Sequence, residues 1–350
     1  MSNKELVSVI DKLQVSRTLS RKEYAFLIEG YSPVLAEYAA KKAMQVKEKI
    51  YGNKIFIRGL IEISNICKND CYYCGIRKSN KQCERYRLTK DEIMNCCKQG
   101  YELGFRTFVL QGGEDGYFSD DILCDIVSAI HKKYPDCAIT LSMGERDRDS
   151  YKELFNAGAN RYLLRHETAS EEHYNRLHPS QMSYKNRMQC LQELKEIGFQ
   201  TGCGFMIGSP YQTAEHLACD LKFVEVFHPQ MCGIGPFIPH KDTQYKNEKA
   251  GSVELTCYLL SLIRLMHPNI LLPATTALGS LDEKGREKGI LAGANVVMPN
   301  LSPMTVREKY KLYDNKASLG AEAAEGLEEL RKRMRDIGHD VVCDRGDIIL

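Results

Sequence analysis

Cys67, Cys71 and Cys74 lie in the run CKNDCYYC, spaced CxxxCxxC. Thiolates this close together are soft ligands for zinc or for an iron–sulfur cluster. A structural zinc takes four ligands in a closed shell, so three on one stretch would need a fourth from elsewhere, for example Cys83. Three thiolates on a 4Fe–4S cluster leave one iron open to a further ligand. The number three favours that cluster over zinc, with redox-active or coincidental thiols behind both.

The chain has 350 residues, with 14 cysteines, no tryptophan and a net charge of +2. It contains no apolar run of about 18 residues that could cross a bilayer. The opening MSNKELVSVIDKLQVSRTLS lacks the apolar core of a signal peptide. Near-balanced charge argues against nucleic acid or a membrane surface as partner. A cytoplasmic chain with reduced thiols is therefore expected, not a disulfide framework. The eleven scattered cysteines (Cys83, Cys96, Cys97, Cys124, Cys137, Cys190, Cys203, Cys219, Cys232, Cys257 and Cys343) sit mostly among apolar neighbours and read as small hydrophobes.

The elements that would position the cysteines follow a regular period. Residues 1–52 read as a helical extension: Ser20 and Glu23 form a capping box, Ser32-Pro33 opens a helix, and an amphipathic run from Val34 to about Ile50 stops at Gly52. From residue 53 onward one domain is expected. Its strand candidates are Ile55–Ser64, Thr107–Gln111, Ala138–Ser142, Arg161–Glu167, Thr201–Ile207, Met231–Phe237, Ile270–Thr275 and Asn295–Met298. Helical stretches alternate with them, such as Thr89–Leu103, Ser183–Ile197 and Val253–Met266. Eight strands in βα succession predict an α/β fold, a (βα)8 TIM-type barrel, with a doubly wound open sheet as the other architecture. A charged amphipathic helix is predicted over Gly320–Met334, packed on the outside or bottom of the barrel. The cysteine run follows directly on the first strand, where a barrel carries its active-site loops.

CKNDCYYC resembles the CxxxCxφC signature of the radical S-adenosylmethionine (SAM) superfamily, with Tyr73 as the aromatic residue before the last cysteine. Two further segments agree in order. Gly112-Gly113-Glu114 resembles the element that holds the amino group of SAM, and Gly204–Gly208 resembles a glycine-containing element near the adenine. Within the superfamily the segments ERYRLT, LQGGED, RYLLRHETA, GIGPFIPHKDT, PATTALG and GANVVMPN resemble the HydE group of FeFe-hydrogenase maturases, with methylornithine synthase as a related alternative.

The resemblance implies one 4Fe–4S cluster on Cys67, Cys71 and Cys74, and SAM held with help from Tyr73, Gly112, Gly113, Glu114, Glu167, Arg187 and Tyr310, with Tyr313 nearby. Reductive cleavage of SAM would give a 5′-deoxyadenosyl radical acting on a small substrate, an iron–cysteine complex with carbonyl and cyanide ligands. Arg165, Thr275 and Thr276 would face that substrate. Other hydrogenase maturases and an electron donor are the implied partners of a monomeric chain. On their own residue types the alternatives stay open: Arg165 and Glu167, two apart on a strand with Leu163, could be an internal ion pair filling the barrel. Arg187 could be a solvated helix residue, Thr275 and Thr276 ordinary strand residues, and Tyr310 and Tyr313 neighbours on a helical turn. His240 is a weaker candidate for the site, and His166, pointing away from Arg165 and Glu167, reads as structural. A zinc-stabilised barrel without SAM chemistry is the alternative from another class. Many HydE-like chains carry further cysteines after the segment VREKYKLYDNK for an auxiliary cluster; here the sequence runs KASLGAEAAEG, so a single cluster is expected.

Overall fold

The computed structural model describes residues 3–317 and 323–349. Three helices come first, Asn3–Ser16, Arg21–Glu29 and Pro33–Tyr51. Ser20 caps the second through a complete capping box with Glu23, and Ser32 caps the third. The third packs along the helix Val253–Met266, and the second along Ala214–Phe227. Glu225 fastens this contact by accepting from Tyr24 Oη at 2.7 Å, Thr18 Oγ1 at 2.6 Å and Leu19 N at 3.2 Å.

Eleven strands follow among the described residues: β1 Lys54–Ile57, β2 Gly59–Ser64, β3 Thr107–Gly112, β4 Ala138–Ser142, β5 Arg161–Leu163, β6 Gln200–Cys203, β7 Met206–Ile207, β8 Met231–Cys232, β9 Gly235–Pro236, β10 Val296–Val297 and β11 Asp340–Val342. β2, β3, β4, β5, β6 and β8 form one parallel sheet in that order. Parallel bridges carry it onward from Met231 to Leu271, from Pro273 to Val296, and from Asn300 back to Leu60. Leu60 N donates to Pro299 O at 3.0 Å and Leu301 N to Leu60 O at 2.7 Å, so the ring closes as a barrel, not an open sheet. The core fills with buried aliphatic and aromatic side chains between strands and helices.

Several elements are shorter than the apolar runs suggest. Ile55–Ser64 divides at Arg58 into β1, which pairs with β10 and β11, and β2, which pairs with β3. Thr201–Ile207 and Met231–Phe237 each divide in two, and Ile270–Thr275 is held by isolated bridges. Asn295–Met298 keeps only β10 as strand, and Arg161–Glu167 ends as continuous strand at Leu163; Glu167, at a left-handed φ of 64°, keeps only an isolated parallel bridge to Phe205. The C-terminal helix spans Leu327–Asp336, after a short 3₁₀ turn at Ala324–Gly326; residues 320–322 of the expected Gly320–Met334 helix lie outside the described residues. β11 lies beyond it, and the tail then crosses the N-terminal end of the barrel. There Arg161 Nη2 donates to Arg345 O and Gly346 O, each at 3.1 Å, and pairs with Asp347 at 2.6 Å.

Candidate active site

Alternation along the strands decides what lines the barrel interior. Arg58, Leu60 and Glu62 on and before β2, Val109 and Gln111 on β3, and Thr140 and Ser142 on β4 point inward in rows two apart. Above them a cavity of about 340 Å³ reaches the loops at the C-terminal ends of the strands.

Cys67, Cys71 and Cys74, on the loop after β2, all line this cavity. Burial pushes the three thiols up, Cys74 to about 12, and for Cys71 the neighbouring Cys74 and Cys67 add to it. Cys83, the candidate fourth ligand, is half-buried, lies 3.5 Å from Asn65 Nδ2, and does not line the cavity. Among the described residues no group of three or more His, Cys, Asp or Glu side chains is arranged to hold a single metal ion. A cube of four irons spreads its thiolates wider than one zinc does.

The loop after β3 closes on the cysteine loop. Lys68 N donates to Glu114 O at 2.9 Å, and Glu114 N lies 3.4 Å from Cys67 Sγ. Gly113 makes this approach possible, since a Cβ there would stand 2.3 Å from Ile66 O and 2.7 Å from Cys67 Cβ. Gly112 packs beside Ser64 O and Met143. The Glu114 carboxylate accepts from Glu145 N at 3.0 Å and pairs with Lys68 at 3.2 Å.

Arg187, on the helix Tyr184–Ile197, is buried in the cavity wall and not solvated. Its Nε donates to Glu145 Oε1 and its Nη1 to Arg165 O at 2.7 Å. Burial works against its charge, but Glu145 together with Tyr174 and Tyr73 outweighs it and holds the guanidinium protonated well above its usual range. Arg165 and Glu167 also line the cavity and pair at 3.2 Å, although the segment is no longer a strand there. That pair joins Arg165 Nη2 to Glu167 Oε2, while Arg165 Nε, also buried, makes no hydrogen bond and is open to a ligand. His166 turns away, accepts from Gly204 N at 3.3 Å through Nδ1 and faces Asp220 at 3.4 Å, as its structural reading expects.

Thr275 and Thr276 line the opposite wall, where a helix begins at Thr276. Thr275 does not cap that helix; its hydroxyl donates to Ile234 O at 3.3 Å. Tyr310 and Tyr313 both line the cavity, but the helix before them ends at Arg307, so they share no helical turn. Tyr73 donates its hydroxyl to His178 Nε2 at 3.1 Å; that nitrogen is the acceptor because Nδ1 donates to Tyr174 O at 2.9 Å and burial brings the imidazole down to about 3. His240 is buried against Gly75, outside the cavity lining.

Sequence reasoning missed Glu145, His178, Lys316 and Glu62. Glu62 is fully buried, accepts from Asn300 Nδ2 at 2.9 Å, and pairs with Lys316. A lone acid in the inward row of the apolar strand was its signal; Glu145 had none.

The radical SAM superfamily model matches residues 61–224. Over 316 residues the chain is 41% identical to FeFe hydrogenase maturase subunit HydE of Thermotoga maritima, covering 90% of this chain and 89% of that one. The chain belongs to the HydE family of the radical SAM superfamily. This family member is also 28% identical to 3-methylornithine synthase of Methanosarcina barkeri, over 90% and 89% of the two chains. Among solved structures, methylornithine synthase (PylB) superposes with a TM-score of 0.83 at 25% identity, over 95% of this chain and 97% of that one. The maturase HydG from Carboxydothermus hydrogenoformans shares the fold, with a TM-score of 0.79 at 22% identity over 96% and 79% of the chains. Family membership makes this a radical SAM enzyme with a 4Fe–4S cluster and SAM as its cofactors. The site fits both groups: the three thiols lie beside a glycine cradle, and the buried Arg165 guanidinium in the cavity wall keeps its Nε without a hydrogen bond.

Proposed function

We propose that the enzyme acts as a hydrogenase maturase on a small iron–cysteine complex with carbonyl and cyanide ligands, within the barrel. One observation carries this reading: the CxxxCxxC loop, the Gly-Gly-Glu loop, Arg187, Arg165 and Thr275 share one cavity. Cys67, Cys71 and Cys74 would hold the cluster and leave one iron for the amino acid end of SAM. Bound together, these groups supply one-electron cleavage of SAM to methionine and a 5′-deoxyadenosyl radical.

The protein's own residues do the rest. Arg187, charged and braced by Glu145, suits the SAM carboxylate. Arg165 offers its Nε to an anionic substrate, and Thr275 and Thr276 line the same cavity. Apolar side chains such as Leu163, Met206 and Ile238 exclude water from a species that takes hydrogen from whatever it touches. Other maturases and an electron donor fit as partners of a monomeric, cytoplasmic enzyme with this one cluster.

Anaerobic reconstitution tests the reading. The protein should take up about four irons and release 5′-deoxyadenosine from SAM with dithionite; Cys71→Ala should abolish both. A colourless protein with one zinc would overturn it. Conversion of lysine to methylornithine would move the substrate to the class of the synthase.

A further inference from the structure

The segment between the two cofactor loops is bound to both of them. Arg87 forms an antiparallel bridge with Ser64, and its guanidinium clasps Asp115 at 2.7 and 2.9 Å. Tyr86 N donates to Asn65 Oδ1 at 2.8 Å. Between them, Arg85 reaches under the cysteine loop. Its Nη1 donates to Asn65 O at 2.5 Å and Ile76 O at 2.8 Å, and its Nη2 to Arg77 O at 2.6 Å and Asn80 O at 3.1 Å. These four carbonyls bracket Cys67, Cys71 and Cys74 on both sides along the chain.

The charges nearby separate Arg85 from its neighbours. Arg77 pairs with Asp70, Arg87 with Asp115 and Lys309 with Glu84, whereas Arg85 has no acid partner among the described residues. Its guanidinium, bonded to Asn65 O on one side of the three cysteines and to Ile76 O and Arg77 O on the other, places that charge against their loop. A planar fork spent wholly on backbone carbonyls fixes a loop shape, and a cation left unneutralised favours added negative charge beside it.

We propose that Arg85 is a positioning residue for the cluster: it locks the loop that holds the three cysteines, and its unpaired charge eases one-electron reduction. Potential and ligand retention of iron–sulfur clusters respond to local charge and to the groups that orient the ligands. The inference rests on Cys67, Cys71 and Cys74 being the ligands.

Reconstituted wild type, Arg85→Met and Arg85→Lys are compared by mediator titration followed by electron paramagnetic resonance, and by iron release to a chelator. Arg85→Met should be harder to reduce and lose iron about 10- to 100-fold faster. Arg85→Lys keeps the charge but cannot span four carbonyls, so its potential should stay and its iron release quicken. An unchanged potential in Arg85→Met overturns the inference even if release quickens. If Arg85→Met does not fold, wild-type iron release in Arg85→Lys overturns it and faster release at unchanged potential supports it. A wild type that takes up no four-iron cluster overturns the ligand reading instead.

Discussion

Glu145 holds Arg187: its Oε1 accepts from the guanidinium Nε at 2.5 Å, inside the cavity wall and across 42 residues of sequence. The acid supplies the opposing charge that a buried guanidinium requires, and it aims the fork at the cavity. Glu145→Gln should therefore leave the cluster intact but weaken SAM binding by about tenfold, the scale of one charge-assisted hydrogen bond. The KM for SAM in 5′-deoxyadenosine formation measures it, with the iron content as control.

Glu62 and Lys316 form a second buried pair, with side chains 0% and 7% exposed, tying β2 to the loop that carries Tyr310 and Tyr313. Removing one partner strands the other charge. Glu62→Gln should lower stability by roughly 3 to 5 kcal/mol. Adding Lys316→Met to it should restore part of that loss, which the urea midpoints of the single and double variants would reveal.

Gly144 sits at φ +76°, and a Cβ there would stand 2.1 Å from Glu114 Cγ. Gly144→Ala combines strain with displacement of the Glu114 side chain. A cost of about 1 to 3 kcal/mol is expected, seen as a lower Tm together with weaker SAM binding.

Lys47 is fully buried on the helix Pro33–Tyr51, with Nζ unpartnered. Burial chiefly, and Arg264 beside it, bring its ammonium down to about 7, while Glu48 opposes them weakly. His339, also packed nearby, is itself pushed down by burial and by Lys47. In the unfolded chain Lys47 titrates near its ordinary value of 10.5. Between those two values the unfolded state holds the extra proton, so stability from this residue rises with pH across the window and is lowest below it. Lys47→Met should raise Tm at pH 7 and flatten its increase toward about pH 9.5; an unchanged slope would show that Lys47 is not the group responsible.

Much of this site was legible along the chain. The cysteine run, the Gly-Gly-Glu element and Arg165, Arg187, Thr275 and Tyr310 all meet at one cavity. The capping box at Ser20 and the Ser32-Pro33 start placed two helix starts correctly, because a cap is a contact over three residues. Strand ends were less legible. Periodicity cannot report that Glu167 turns left-handed or that β2 begins anew after Arg58, since partners far along the chain fix both. The two-residue alternation assigned to Arg165 and Glu167 fails as strand geometry, yet both still face the cavity.

The sequence by itself determined the βα period, the order of the motifs and the three thiols on one short loop, all features written over a few neighbouring residues. Only the tertiary structure decided that the ring closes between Leu60 and Asn300, that the C-terminal tail crosses its lower end, and that Glu145 braces Arg187 while Arg85 clamps the cysteine loop. Those are pairings of buried polar groups. Burial makes a partner obligatory, but it leaves the choice among many acids and carbonyls to the packing of distant strands and loops.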